Sequence, residues 1–191
     1  MLFAALVITT LVVAAHSTEE APYTVLKKYK EQNVEKRKYP QYLRVCTVLF
    51  KGLSNDSGFS RLFYYINGKN EDGQKIAMTK PMITDYTAVE GLRESFKRTL
   101  CFYLPKKFQK NAPNTTDEDV FLNRRPEVNV YARQHGGWSS EIKKLKELEK
   151  LDESIGKLNL TRLPKVFSVA EYDVPFTAFS RRIEVLVETH D

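Results

Sequence analysis

Methionines 78 and 82 stand four residues apart in "GKNEDGQKIAMTKPM", with Thr79-Lys80-Pro81 between them. Two thioethers so placed suit either the filling of a core strand or the rim of a site for a soft, flat, apolar ligand. In a regular strand positions 78 and 82 share a face, although Pro81 interrupts that geometry. The three histidines, His16, His135 and His190, are far apart and have no partner spacing, so no metal site is expected. There is no Gly-x-Ser-x-Gly elbow, no phosphate-binding glycine loop and no Cys-His nucleophile pair. The chain is therefore not expected to be an enzyme, and no catalytic residue is assigned. Cys46 and Cys101 sit in the strand-like runs "LRVCTVLF" and "RTLCFYL". They can form a disulfide if those strands are neighbours with Cα atoms within about 7 Å; otherwise they are two buried thiols.

At 191 residues the length favours one domain. The net charge is +6, but the basic residues are spread along the whole chain. No basic patch with interleaved aromatics appears, so nucleic acid is not an expected partner. The opening "MLFAALVITTLVVAA", followed by "HSTEEAP", reads as a signal peptide over residues 1–17, with cleavage after Ala15 or Ser17. The apolar run is short for a membrane span, and no later stretch is apolar enough to cross a bilayer. A secreted, extracellular protein is expected. Sequons at Asn55, Asn114 and Asn159 fit that route.

The elements that must position any site follow from periodicity. Residues 18–32 read as an N-terminal arm or a short helix. Residues 34–50 read as two strands or one long bent strand, with Pro40 interrupting. Phe59, Leu62, Phe63 and Ile66 form one face of a helix over 55–67, ended by Asn67-Gly68. Strands are expected over 74–86, 96–104, 120–123 and 127–135, with an exposed loop at 105–119. A serine-capped helix over 139–155 carries the stripe Ile142, Leu145, Leu148, Leu151 and Ile155. Lys143–Glu147 and Glu147–Lys150 are expected surface pairs on it. Strands at 164–172 and 182–188 close the chain. Strands, helix and two strands thus occur twice, which predicts a structural duplication of α+β class in which one sheet curls into a distorted barrel.

The segments "LFYYINGKNEDGQKIAMTKPM", "FYLPKKFQ", "VYARQHGGW", "EYDVPF" and "RRIEV" occur in that order. Together they resemble the SOUL/heme-binding protein family, in which KIxMTxPV and RRNEV recur. The resemblance places the domain at 33–191. It implies a distorted β-barrel from two similar strand-helix-strand halves with two packed α-helices. It also implies binding of heme or another tetrapyrrole, with no agreed enzymatic activity. In the family the first helix and the loop between the last two strands border the ligand. The matching residues here are Phe59, Leu62, Phe63 and Ile66 on the helix and Val174, Pro175, Phe176 and Thr177 on the loop.

Basic side chains that one family branch offers to propionates fall here at Asp56, Tyr64 and Thr177; Arg61 and Lys69 lie close by and could substitute. An axial histidine of the other branch falls at Lys38, a poor ligand when protonated. Tyr39 beside it, Met78 and Met82 are the alternative axial candidates. The expected function is a secreted, monomeric protein that holds heme or porphyrin in a shallow apolar cleft by stacking, with micromolar or weaker affinity, about −8 kcal/mol. Two alternatives stay open: an extracellular interaction module that has lost the ligand, or a carrier of another apolar small molecule.

Overall fold

Proline ends two strands of this chain and thereby sets its architecture. The computed structural model describes residues 18–49, 55–89, 96–137, 140–173 and 181–190. Strand β1 (Thr24–Tyr29) pairs antiparallel with β2 (Val34–Tyr39), and β3 (Tyr42–Leu49) follows after Pro40-Gln41. Proline has no N–H for a ladder and fixes its own φ, so the strand breaks there. Helix α1 (Asn55–Ile66) and strands β4 (Met82–Ala88) and β5 (Phe96–Tyr103) complete a first unit. A second unit repeats it: β6 (Val120–Arg125), Pro126-Glu127, β7 (Val128–His135), α2 (Glu141–Lys157), β8 (Val166–Glu171) and β9 (Ile183–Thr189).

All nine strands join one antiparallel sheet in the order β1-β2-β7-β9-β8-β4-β5-β3-β6. Exchange each strand of the first unit with its counterpart in the second, and the order from β2 to β6 reads the same backwards. The duplication expected from the element pattern is therefore present as a pseudo-twofold arrangement, with the β4–β8 pairing at its centre. Residues 24–29 form an edge strand, not a short helix. The regular strand expected over 74–86 begins only at Met82, directly after Pro81.

Although β2 and β3 are two residues apart in sequence, they stand second and eighth in the sheet. The sheet must curl for so short a link to join them. One face is therefore concave, and Tyr39, Tyr42, Ile83, Tyr103, Val130 and Leu186 meet on it in one apolar cluster. Ion pairs reach across the same face. Arg125 on end strand β6 contacts Glu188 on β9 at 2.7 Å, and Arg44 contacts Asp85 at 2.7 Å. Among the described residues the ladder itself has two ends, β1 and β6, so the pairing is that of a curled open sheet and not a hydrogen-bonded closed barrel.

Cys46 and Cys101 are directly opposed on β3 and β5, with Cα atoms 4.1 Å apart, and form a disulfide. This meets the adjacency condition set by the sequence.

The helices cover the convex face, α1 over β3 and β5, α2 over β7 and β9. Each is rotated from its expected stripe. On α1 the buried residues are Gly58, Leu62, Tyr65 and Ile66, while Phe63 is 43% exposed. Gly58 is the cause. A Cβ there would lie 2.4 Å from Leu49 Cδ2 and 3.1 Å from Leu100 Cδ2, so the helix rests on the sheet at a residue with no side chain. Tyr65 completes the inward face because its hydroxyl donates to Pro113 O at 2.7 Å. On α2, Ser140 caps the N-terminus as expected. The buried residues, however, include Lys144 and Glu147, and Leu145 and Ile142 are 43% and 70% exposed. Lys144 and Glu147 can be buried because both are paired. Glu147 meets Lys150, as expected, and Arg133; Lys143 instead donates to Gly136 O.

Candidate functional site

Above the central β4–β8 pairing, a cleft of about 190 Å³ opens between α1 and α2. Phe59 from the second turn of α1 and Met82 from the start of β4 form its apolar side. Phe59 is held edge-on to Phe102, with ring centroids 5.4 Å apart. It also stacks on Phe63 at 5.7 Å and 17° between planes, an i, i+4 pair on the helix edge. The rotation of α1 thus produces an aromatic ledge: Phe59 is half-buried and Phe63 stands in solvent beside the cleft.

The polar side of the cleft comes from elements that sequence reasoning did not connect to the site. Lys144, only 2% exposed, enters from α2. Its ammonium lies 3.3 Å from Glu141, 3.8 Å from Glu171 and 3.5 Å from the Tyr86 hydroxyl. Burial, reinforced by Glu141, pushes the Tyr86 phenol well above its usual range, so it stays neutral there. Arg181 and Arg182 also line the cleft. Arg182 is turned to the concave side, onto Glu184 at 3.0 Å and the Tyr172 ring at 3.6 Å. Three acids share the lining. Glu171 faces Lys144, Asp173 accepts the Arg182 N–H at 2.6 Å, and Asp56 sits in the first turn of α1, where the helix dipole favours it. The signal that could have found Lys144 is its place in the helix: a lysine on the inward face of α2 needs a reason to be there.

The structure separates the other sequence candidates. Leu62 and Ile66 are core residues under α1, 0% and 4% exposed. Arg61 and Lys69 turn away from Phe59 toward the start of β6, pairing with Asp119 at 2.9 Å and Asp117 at 3.7 Å. Met78 packs partly buried against the α1 core, but it precedes the regular strand and shares no strand face with Met82. Tyr39 lies on the concave face beside a void of only about 10 Å³. Burial pushes its phenol up to about 12, which opposes the phenolate that iron would bind. His135 stands at the end of β7, with burial holding its imidazole below the usual range. Phe176, like Val174, Pro175 and Thr177, lies outside the described residues, as do His16 and residues 1–17. No group of three or more His, Cys, Asp or Glu side chains among the described residues could hold a metal ion.

Of the sequons, Asn114 and Asn159 are exposed, whereas Asn55 begins α1 on the cleft lining with its Oδ1 buried. No described helix is long and apolar enough to cross a membrane.

Comparison with known proteins gives one family. The SOUL heme-binding protein family matches residues 18–188. Heme-binding protein 2 of Mus musculus is 35% identical over 132 residues, covering 68% of this chain and 63% of that protein. Matched in this way, the chain spans somewhat less than two thirds of that relative. Heme-binding protein 1 of Sus scrofa is 25% identical over 176 residues, covering 88% of this chain and 92% of that protein. Among solved structures, a hydrolase from Listeria innocua superposes with a TM-score of 0.58 at 12% identity, covering 90% of this chain and 98% of that one. At that identity the likeness shows the fold alone.

Proposed function

Because the chain belongs to the SOUL heme-binding protein family, we propose that it binds heme or a related porphyrin on the Phe59–Phe63 ledge at the mouth of the inter-helix cleft. The observation that carries this reading is the stacked, half-exposed aromatic pair beside Met82. A free aromatic ledge on a helix edge offers the ring face that a macrocycle needs. The cleft alone is smaller than the roughly 300–1,000 Å³ of ordinary ligand sites. The ligand therefore lies across its mouth. Arg181, half-exposed on the lining, is the cation that would meet a propionate. Among the described lining no histidine or tyrosine offers an axial ligand, and Met82 is the thioether at hand. Binding then rests on stacking and burial, and iron contributes little. Transport of the ligand outside the cell is the biological role we infer. The apolar N-terminal run, the Cys46–Cys101 bond and the exposed sequons at Asn114 and Asn159 support secretion. The N-terminal sequence of the expressed protein tests it: a chain beginning near Thr18 is expected, and retention of Met1 overturns it.

Titration with hemin and with protoporphyrin IX, read at the Soret band, tests the ligand. Both should saturate at one equivalent with similar micromolar constants, and Phe63→Ala should weaken both by about tenfold, close to 1.4 kcal/mol. Failure of both to saturate would overturn the proposal.

A further inference from the structure

Much of the net charge of the chain sits on one hairpin. Residues 24–39 carry six basic and two acidic side chains, a net +4 of the chain's +6. They are β1, β2 and the turn between them, closed by a hydrogen bond from Asn33 N to Lys30 O at 3.2 Å. β1 is an end strand, and five of its six residues are exposed.

Strand alternation sorts these charges between the two faces. On the concave face they are neutralised. Lys28 meets Glu35 at 2.9 Å, and Arg37 meets Glu35 at 2.9 Å and Glu184 at 2.6 Å. Val34, Lys36 and Lys38 alternate onto the convex face, where Val34 packs in the core with Leu151 and Ile155 of α2. Lys27 is the register partner of Lys36 and so shares that face. Directly opposed residues of an antiparallel pair have Cβ atoms about 4.5–5.5 Å apart, and like charges there are destabilising. Neither Lys27 nor Lys36 takes part in an ion pair among the described residues. Each ammonium rests over a ring instead. Lys27 Nζ lies 4.8 Å from the centroid of Tyr29, and Lys36 Nζ lies 6.0 Å from that of Tyr131. The rings steady the aliphatic stems while the charged heads stay in water. Lys38 follows about 7 Å along the strand. Its pair with Glu127, at 2.7 Å, is exposed on both sides and therefore weak.

Three lysines thus share one open face with a single exposed acid, in an arrangement that opposes folding. From this geometry we infer that the convex face of the β1–β2 hairpin docks a sulfated polysaccharide outside the cell, taking the chain to be secreted as proposed above. Sulfates repeat along an extended glycan and stay charged at every physiological pH, so one chain can bridge Lys27 and Lys36 and continue to Lys38. A single-stranded nucleic acid needs free ring faces for its bases. Here Tyr131 is fully buried and Tyr29 is covered by Lys27. A bilayer needs aliphatic side chains beside the cations. Val25, however, is the register partner of Arg37 on the other face, and Leu26 lies in the bulge, out of register.

A heparin decasaccharide is the probe, with its desulfated form as the control. The full chain should bind the sulfated form alone at about 0.15 M salt, and affinity should fall steeply as salt rises. Lys27→Gln with Lys36→Gln should weaken binding by about tenfold. The same double change at Lys75 and Lys110, exposed lysines outside the hairpin, removes equal charge and should cost less than about twofold. Thermal unfolding of the hairpin variant should stay level or rise, because a like-charge pair is gone. Its titration with protoporphyrin IX should be unchanged, so this surface and the porphyrin site fail independently. The proposal is overturned by absence of binding to the sulfated probe, by equal losses in the two double variants, or by tighter binding of duplex DNA or of phosphatidylserine vesicles than of heparin.

Discussion

Single residues decide where this protein can hold a ligand. Phe63 was legible as part of an apolar helix face, but its exposure was not. Exposure depends on the helix rotation, and Gly58 sets that rotation through atoms of Leu49 and Leu100 that are distant in sequence. A branched side chain at 58 has no room between them. Gly58→Val should lower stability by about 1–3 kcal/mol, as overpacking does, measured by urea unfolding. It should also change porphyrin affinity, because the ledge moves with the helix. Asp56 carries the opposite lesson. It lines the cleft where one family branch offers a basic residue, and its carboxylate opposes an anionic ligand. Asp56→Arg should tighten protoporphyrin IX binding by about tenfold, roughly 1.4 kcal/mol. Protoporphyrin dimethyl ester, which has no carboxylates, should gain nothing. Equal gains for both would show that charge is not the cause.

At the scale of elements, boundaries were readable and faces were not. Both helices, the β2–β3 break at Pro40 and the terminal strands lie within a few residues of their sequence positions, because periodicity and proline act locally. Which helix face points inward is settled by what the sheet offers. A stripe count cannot see that Lys144 will find Glu141, Glu171 and Tyr86, or that Tyr65 will find the Pro113 carbonyl. The strands show the same effect. Arg37 and Glu184 stand in strand runs with no stripe to mark them, yet they are 4% and 0% exposed and joined at 2.6 Å across β2 and β9. Tyr172 donates to the same carboxylate at 3.1 Å. Removing Glu184 leaves the buried Arg37 with Glu35, at 2.9 Å, as its remaining carboxylate, so Glu184→Leu should cost about 3 kcal/mol. Adding Arg37→Met should restore part of that. A double variant no more stable than the single one would contradict the pairing.

For the molecule as a whole, the buried phenols give a pH signature. Burial pushes the phenols of Tyr39, Tyr65 and Tyr103 each from 10.0 up to about 12. Above pH 10 the unfolded chain loses these protons while the folded chain keeps them, so folded protein binds the more protons and stability falls as pH rises. The contribution is whole below pH 10 and is lost through about pH 12, at up to about 1.4 kcal/mol per pH unit for each phenol. Urea midpoints that stay flat between pH 10 and 12 would refute this. The fold class and its duplication were legible because each repeat carries its own turns and periodicities. The curl was expected as a distorted barrel, but the links that force it were not: Pro40-Gln41 and Pro126-Glu127 each join strands at opposite parts of the sheet.

Those two links have a consequence for ancestry and assembly. Each repeat places its first strand on the far repeat: β2 edges β7, and β6 edges β3. The halves are therefore exchanged with one another, as two subunits of a strand-swapped homodimer would be, fused here into one chain. Neither half owns a complete sheet. A half-length ancestor with this topology would have had to pair with a second copy of itself, and only after fusion could its two halves diverge.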